Sequence, residues 1–263
     1  MNSPNEPCLL RSDRADGLCQ LTLNRPGQFN SLSREMLSAL QQELDAIAAD
    51  PAVRVVVIGG AGKAFCAGHD LKEMRANHRK EFMQALFRQC GDLMLTITRM
   101  PQPVIARVHG IATAAGCQLV SMCDLAVAAD VAKFAVSGIN VGLFCSTPAV
   151  GLARNLGRKN ALEMLLTGEF IDAMEARAKG LVNRVVPADA LDAEVERLAQ
   201  AILAKSAVAV RMGKGMFYRQ LEMGLGEAYD YAAEVMACNM MSEDAGEGID
   251  AFMEKRPPNY RGC

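Results

Sequence analysis

The sequence contains no CxxC pair, although nine cysteines are scattered from Cys8 to Cys263. That absence argues against a zinc site and against a redox dithiol. The odd count, without paired spacing, reads as reduced thiols, which suit the cytoplasm. Cys66, Cys90, Cys117 and Cys123 sit in apolar surroundings, where a free thiol behaves as a small hydrophobe. No apolar run reaches the roughly 18 residues that a membrane span requires. Residues 1–17 hold neither an apolar core nor an Arg-rich amphipathic stretch, so no leader peptide and no membrane partner are expected. Charge of one sign is not in excess: 28 Lys and Arg against 30 Asp and Glu leave −2, which offers no footprint for nucleic acid. Both nucleotide-loop signatures are missing too. Gly62-Lys63 is followed by Ala64 where the phosphate loop needs a hydroxyl, and no GxGxxG occurs.

What is present is a chain of 263 residues, 51% hydrophobic and 22% charged, the profile of a globular protein with one large domain or a domain and an appendage. Its pattern predicts α/β structure. Leu18 to Leu23 alternates like a strand, broken by Pro26, Gly27 and Asn30. Leu32, Met36, Leu37, Leu40, Leu44 and Ile47 form one helical stripe. Val53 to Ile58 and Val104 to Val108 are continuous apolar runs, read as fully buried strands. Lys72 to Lys80 is polar with little periodicity and is expected to be mobile. Phe82 to Arg99 is helical and ends at Pro101 and Pro103. Leu125 to Ala128 and Lys133 to Ala135 are short strands. Asp172 with Glu175 resembles a capping box, with Gly180 at the C′ position of the same helix. Leu181 to Val186 is the last strand, and from Asp189 the pattern is helical almost to the end. The expected organisation is therefore a strand–helix core over residues 1–187 and a helical region over 188–263, packed together without a flexible linker.

The informative feature is a pair of strand-then-glycine junctions, Gly59 to Asp70 and Gly110 to Gln118. Both are built of small residues, so the backbone can approach a ligand closely. The second opens a helix, whose first N–H groups lack internal partners and carry partial positive charge. Two such N–H groups converging on one carbonyl oxygen would suit enolate or tetrahedral oxyanion chemistry.

The same residues carry a resemblance. Ala64-Phe65-Cys66-Ala67-Gly68-His69-Asp70-Leu71-Lys72-Glu73-Met74 resembles the AFxAGxDhKEM segment of the crotonase (enoyl-CoA hydratase/isomerase) family. Val108-His109-Gly110, Ala114-Ala115-Gly116-Cys117-Gln118-Leu119 and Cys123-Asp124 are similar to its second motif, VNG…GGGxEL…CD. Leu166-Thr167-Gly168-Glu169, the stretch from Ala176 to Val182 and Ala251-Phe252-Met253-Glu254-Lys255-Arg256 match later stations, so the resemblance runs from about residue 18 to residue 256. It implies an α/β fold, a crotonase-like spiral of ββα turns with a C-terminal helical trimerisation region, assembled as a homotrimer or dimer of trimers. It implies an acyl-CoA substrate, no tightly bound cofactor beyond the coenzyme A of that thioester, and no metal. It implies an oxyanion hole from the N–H groups of His69 and Ala115. Arg25, Ala67 and Lys72 are then expected at the CoA moiety, with Phe252 and Lys255 reaching a neighbouring subunit's CoA.

The sequence departs from the family where the hydratase chemistry sits. Typical hydratases carry two glutamates as general acid and base. Gln118 stands at the first position and Gly138 at the second. Gln118 can orient a water but cannot take a proton, and Gly138 offers no side chain. Efficient hydration is therefore not expected. His69 is a candidate for proton transfer, since its unperturbed pKa is ~6.5. A histidine at this station also occurs in methylmalonyl-CoA decarboxylase, a family member that works without the glutamate pair. Cys145 is a candidate nucleophile, a role that needs a depressed pKa. Ser137, Asn140 and Ser146 are candidate pocket liners, and Asp124 reads as structural. Three readings follow: a lyase or isomerase acting on acyl-CoA, an acyl-CoA decarboxylase, or a catalytically silent acyl-CoA binder.

Overall fold

The computed structural model describes residues 6–263; Met1 to Asn5, at the start of the expected 1–187 core and of the stretch in which no leader peptide is expected, lie outside the described residues. The chain starts with an antiparallel hairpin, β1 (Leu9–Asp13) and β2 (Leu18–Leu23), followed by α1 (Arg34–Ala48). Next come β3 (Val55–Gly60), β4 (Ala64–Cys66), α2 (Leu71–Ala76) and α3 (Lys80–Arg99). A second round gives β5 (Val104–Val108), β6 (Ile111–Thr113) and α4 (Ala115–Met122). A third gives β7 (Leu125–Ala129), β8 (Lys133–Ala135), α5 (Ser146–Asn155) and α6 (Arg158–Thr167). The chain continues through β9 (Ile171–Asp172), α7 (Ala173–Ala178) and β10 (Arg184–Val186). It closes with α8 (Leu191–Leu203), α9 (Ala207–Gln220), α10 (Leu225–Met240) and α11 (Glu243–Met253).

Each round places one strand in each of two sheets. The larger sheet has the order β1-β2-β3-β5-β7-β10 and the smaller the order β4-β6-β8-β9. All pairings are parallel except β1 with β2 and β8 with β9. This is a spiral of ββα turns, repeated in structure though no repeat is visible in sequence.

The apolar run of β3 is explained by burial on both faces. Alternate side chains point to opposite sides. Val56 and Ile58 join the core beneath α1 and α3, while Val55 and Val57 join a second core closed by Leu191, Val195, Leu198 and Ala199 of α8. The stripe of α1 is buried at Met36, Leu37, Leu40, Leu44 and Ile47, and Ser33 caps the helix by accepting from the Met36 N–H. The N-cap of α7 holds, with Asp172 accepting from Glu175 N–H at 2.8 Å, while the Glu175 carboxylate pairs with Lys179 at 3.3 Å instead of closing a capping box. Gly180 at φ +90° closes α7 with Gly180 N–H to Arg177 and Leu181 N–H to Ala176, a Schellman pair.

Two expectations are corrected. Residues 72–80 do not form an irregular stretch, because α2 spans Leu71–Ala76 and α3 already begins at Lys80. The reason is a cap: Asp70 accepts from both Lys72 N–H and Glu73 N–H, Met74 is buried, and Glu73 binds Arg34 N–H on α1. The last strand is shorter than expected, since Leu181 and Val182 serve the helix end and the core rather than the sheet.

The helical region is tied to the spiral by buried polar groups. Lys214 on α9, 7% exposed, donates to the carbonyls of Ile97 and Gln102 and to Asp124 Oδ2 at 2.7–2.8 Å. Asp124 also accepts from Tyr218 Oη at 2.8 Å and Val104 N–H at 2.6 Å. All four polar side-chain atoms of this cluster are satisfied, in keeping with the structural reading of Asp124. Among the described residues, no helix is long and apolar enough to cross a membrane.

Candidate active site

The two small-residue junctions leave the C-terminal ends of β3 and β5, pass through the short strands β4 and β6, and meet. Gly68, at φ +90°, is the point of contact. A Cβ there would lie 2.8 Å from Ala114 Cβ and 3.1 Å from Ala115 N, so only glycine lets the two turns approach this closely. Neither the His69 nor the Ala115 N–H has an acceptor among the described residues. Ala115 is the first residue of α4, where such an unpaired donor is inherent to the helix. Ala114 before it adopts φ 50° and ψ −120°, a conformation that suits glycine and strains alanine.

The first turn is held by a residue that sequence reading noted only as a strand breaker. Asn30 is fully buried. Its Nδ2 donates to the carbonyls of Ala61, Ala64 and Phe65 at 2.8–3.2 Å, and its Oδ1 accepts Arg25 N–H at 2.9 Å. Leu32 N–H to the Gly68 carbonyl, 2.7 Å, and Ala67 N–H to the Phe29 carbonyl, 3.0 Å, complete the clamp. The available signal was an Asn just after Pro26-Gly27, a position where a buried amide can satisfy a carbonyl-rich turn.

The His69 ring packs against Phe87 of α3, centroids 5.5 Å apart. Its Nδ1 lies 3.3 Å from the Leu32 carbonyl, which can only accept, so Nδ1 carries the hydrogen. Nε2 is then a bare acceptor, buried without a partner. Burial holds the imidazole below its ordinary pKa, outweighing the upward pull of the Leu32 carbonyl. The ring is therefore a neutral base at physiological pH. Gln118 lies on α4 one turn after Ala115, 4% exposed, with Cys90 Sγ 4.0 Å from its Oε1. Phe87 and Cys90 are three residues apart on α3, so His69 and Gln118 abut one face of that helix.

Gly138 and Cys145 are brought into contact. A Cβ on Gly138 would fall 2.7 Å from Cys145 Sγ and 2.6 Å from the Leu143 carbonyl oxygen. The thiol thus occupies the space into which a side chain at 138 would project. Cys145 is buried and donates to the Val136 carbonyl at 3.5 Å. Burial raises its pKa, against a smaller lowering from a backbone contact at Gly138, which is the reverse of what a nucleophilic thiol requires. Thr113 and Ser137 form a hydroxyl pair at 2.8 Å beside the second turn.

Arg25 lies beside the start of α2: its Nη1 donates to Ser33 Oγ at 2.6 Å, and Nη2 is 4.0 Å from Asp70. Lys72 follows two residues later and is exposed. Arg25, Ala67 and Lys72 therefore cluster around one turn. Phe252 and Lys255 do not join them. Phe252 lies in the last turn of α11, which packs on α9 and α10, Lys255 lies just beyond it, and both are exposed. No group of three or more His, Cys, Asp or Glu among the described residues could hold a metal.

A family model for enoyl-CoA hydratase/isomerase matches residues 13–262. The chain belongs to the enoyl-CoA hydratase/isomerase family. It is 47% identical over 242 residues to the mitochondrial enoyl-CoA hydratase domain-containing protein 3 of Xenopus laevis, spanning 92% of this chain and 82% of that one. The segments 112–119 and 140–148 resemble the same subgroup. The crystal structure of an enoyl-CoA hydratase from Mycobacterium smegmatis superposes with a TM-score of 0.96 at 59% identity, covering 97% of this chain and 99% of that one. The human enoyl-CoA hydratase domain-containing protein 3 gives 0.93 at 44% identity over 96% and 100%. The fold is that of the crotonases, C-terminal helices included.

Proposed function

We propose that the protein is an acyl-CoA enzyme of the lyase or isomerase kind that holds the thioester carbonyl between the N–H groups of His69 and Ala115. The observation that carries this reading is the contact between Gly68 and Ala115 N, which joins two turns whose N–H groups have no acceptor among the described residues. Donors fixed in this way stabilise an enolate or oxyanion without reorganising, an effect worth ~3–4 kcal/mol per donor. Arg25, Ala67 and Lys72 are assigned to the CoA moiety, and Phe252 and Lys255 to the CoA of a neighbouring subunit in a homotrimer or dimer of trimers. Cytoplasmic residence belongs to the same proposal.

Efficient hydration is not part of it. Adding water to a double bond needs a base for the water proton and an acid for the α-carbon, each worth ~10²–10⁴-fold. Gln118 is neither, and Cys145 fills the space at Gly138. Decarboxylation is a second reading, favoured by the unpartnered His69 Nε2, because it requires the enolate site but no activated water. The test is turnover of a panel of acyl-CoAs, crotonyl-CoA and a 2-carboxyacyl-CoA among them, followed by mass spectrometry. Crotonyl-CoA should react near background, and Gln118→Glu alone should raise it. A wild-type hydration rate typical of a good enzyme would overturn the assignment of positions 118 and 138. Binding of thioesters without any turnover would leave an acyl-CoA binder.

A further inference from the structure

A second cleft lies at the opposite end of the larger sheet. Its walls come from the segments that enter β3 and β5, from the start of α9 and from the C-terminal residues 260–262, and it encloses about 560 Å³. Three arginines line it, Arg54, Arg211 and Arg261, together with Tyr260 and Gln102. The one carboxylate on its wall, Asp50, already lies 3.9 Å from Arg11 outside it. Asp244, behind the C-terminal residues, is committed to Ser206 Oγ and to the N–H groups of Arg261 and Gly262 at 2.6–3.0 Å. Arg54 gives one hydrogen bond to the Lys205 carbonyl, and none of the three arginines has a carboxylate within salt-bridge distance among the described residues. Three arginines against one compensated acid on the lining make a positive cleft, with Asp244 in electrostatic reach of Arg54 and Glu247 in reach of Arg261.

A buried polar atom marks the inner wall. Gln102 is only 5% exposed, and its Nε2 is spent on the carbonyls of Ile47 and Asp50 at 2.7 and 3.2 Å. That arrangement directs the amide, and it leaves Oε1 buried with no donor. An unsatisfied buried acceptor of this kind costs ordinarily enough to be rare, which makes it a marker for a missing donor.

We infer that this cleft binds a phosphorylated small molecule bearing hydroxyl or amino donors, the chemistry shared by sugar phosphates and nucleoside phosphates. The phosphate meets the arginines, whose forked donors match its oxygens. A hydroxyl or amine of the ligand supplies the donor that Gln102 Oε1 lacks. The volume lies within the usual range for small-molecule sites. The oxyanion turns leave the C-terminal ends of β3 and β5, whereas this cleft adjoins their N-terminal ends, so the two sites are separate.

Calorimetry on the full chain tests this with AMP, ribose 5-phosphate and inorganic phosphate as probes. At least one of the two organic phosphates should bind saturably, about tenfold or more tighter than inorganic phosphate. Arg211→Gln with Arg261→Gln should weaken that binding by about tenfold or more while leaving thermal melting unchanged. Both side chains are exposed or partnerless, so the fold does not depend on them. Saturating crotonyl-CoA should not displace the probe. No saturable binding up to about 10 mM, unchanged affinity in the double variant, or displacement by the thioester would each overturn the proposal. Inorganic phosphate binding as tightly as the organic probes would overturn the role given to Gln102.

Discussion

Ala114 holds a backbone conformation made for glycine. Its φ of 50° with ψ −120° costs about 1–3 kcal/mol in a residue with a Cβ. Ala114→Gly should therefore raise stability by about 1 kcal/mol net of the added chain entropy, read as a shift of the urea midpoint at constant slope. An unchanged or lower midpoint would mean that the Cβ contact with Gly68 outweighs the strain. His69 gives a second expectation at this scale. Its folded pKa lies below the unfolded ~6.5, so the unfolded chain binds the proton more readily. The neutral ring's contribution is complete above pH ~6.5 and is lost as pH falls through the depressed folded value. Urea midpoints measured from pH 7.5 down to pH 5 should fall less steeply in His69→Phe than in wild type. Equal slopes would place the imidazole in contact with water. Much of this geometry was legible residue by residue: the small residues and an unpaired helix start both appear in the string. The clamp by Asn30 was not, because its three acceptors lie more than thirty residues away and nothing local distinguishes it from a turn asparagine.

Among the elements, length decided what could be read. The stripes of α1 and α3 repeat over several turns and their buried faces match the spacing. The strands β4 and β6, three residues each, are too short to show alternation, and their partners lie in the other rounds of the spiral. In the sequence they read as parts of glycine-rich loops. The α2 helix was missed for a different reason: six residues with one buried side chain carry almost no periodicity, and its cap at Asp70 does what hydrophobic patterning does elsewhere. The attachment of α9 rests on ionised groups. Removing one partner of a buried pair leaves the other charge uncompensated, at a cost of about 3–5 kcal/mol. Lys214→Met should therefore destabilise the protein by about that amount, and adding Asp124→Asn should cost less than the sum of the two single changes, in a denaturation double-mutant cycle. Strict additivity would show that the two groups do not act as a pair.

For the whole molecule, the helical region presents an apolar surface that one chain leaves uncovered. Leu225, Tyr229, Met236, Met241, Phe252 and Met253 are 66–83% exposed, and α10 buries no residue at all. In the proposed homotrimer or dimer of trimers, this surface is the one expected to be covered. Light scattering at micromolar concentration should give a mass three or six times that of the chain, and a stable monomer would refute the assembly. The second cleft could not have been anticipated at this scale, since it is built from segments as far apart in the chain as Ala48 and Gly262 whose only common property is their position in the fold.

The contact between Gly138 and Cys145 makes the order of substitutions at the site matter. A larger residue at 138 meets a thiol and a carbonyl at once, so it is unfavourable as a first step. Shrinking residue 145 first opens the volume, and only then can position 138 grow, with the Leu143 peptide still having to yield. The order of changes matters as much as their identity, and a single substitution leads from this pocket to a two-carboxylate one by no direct route.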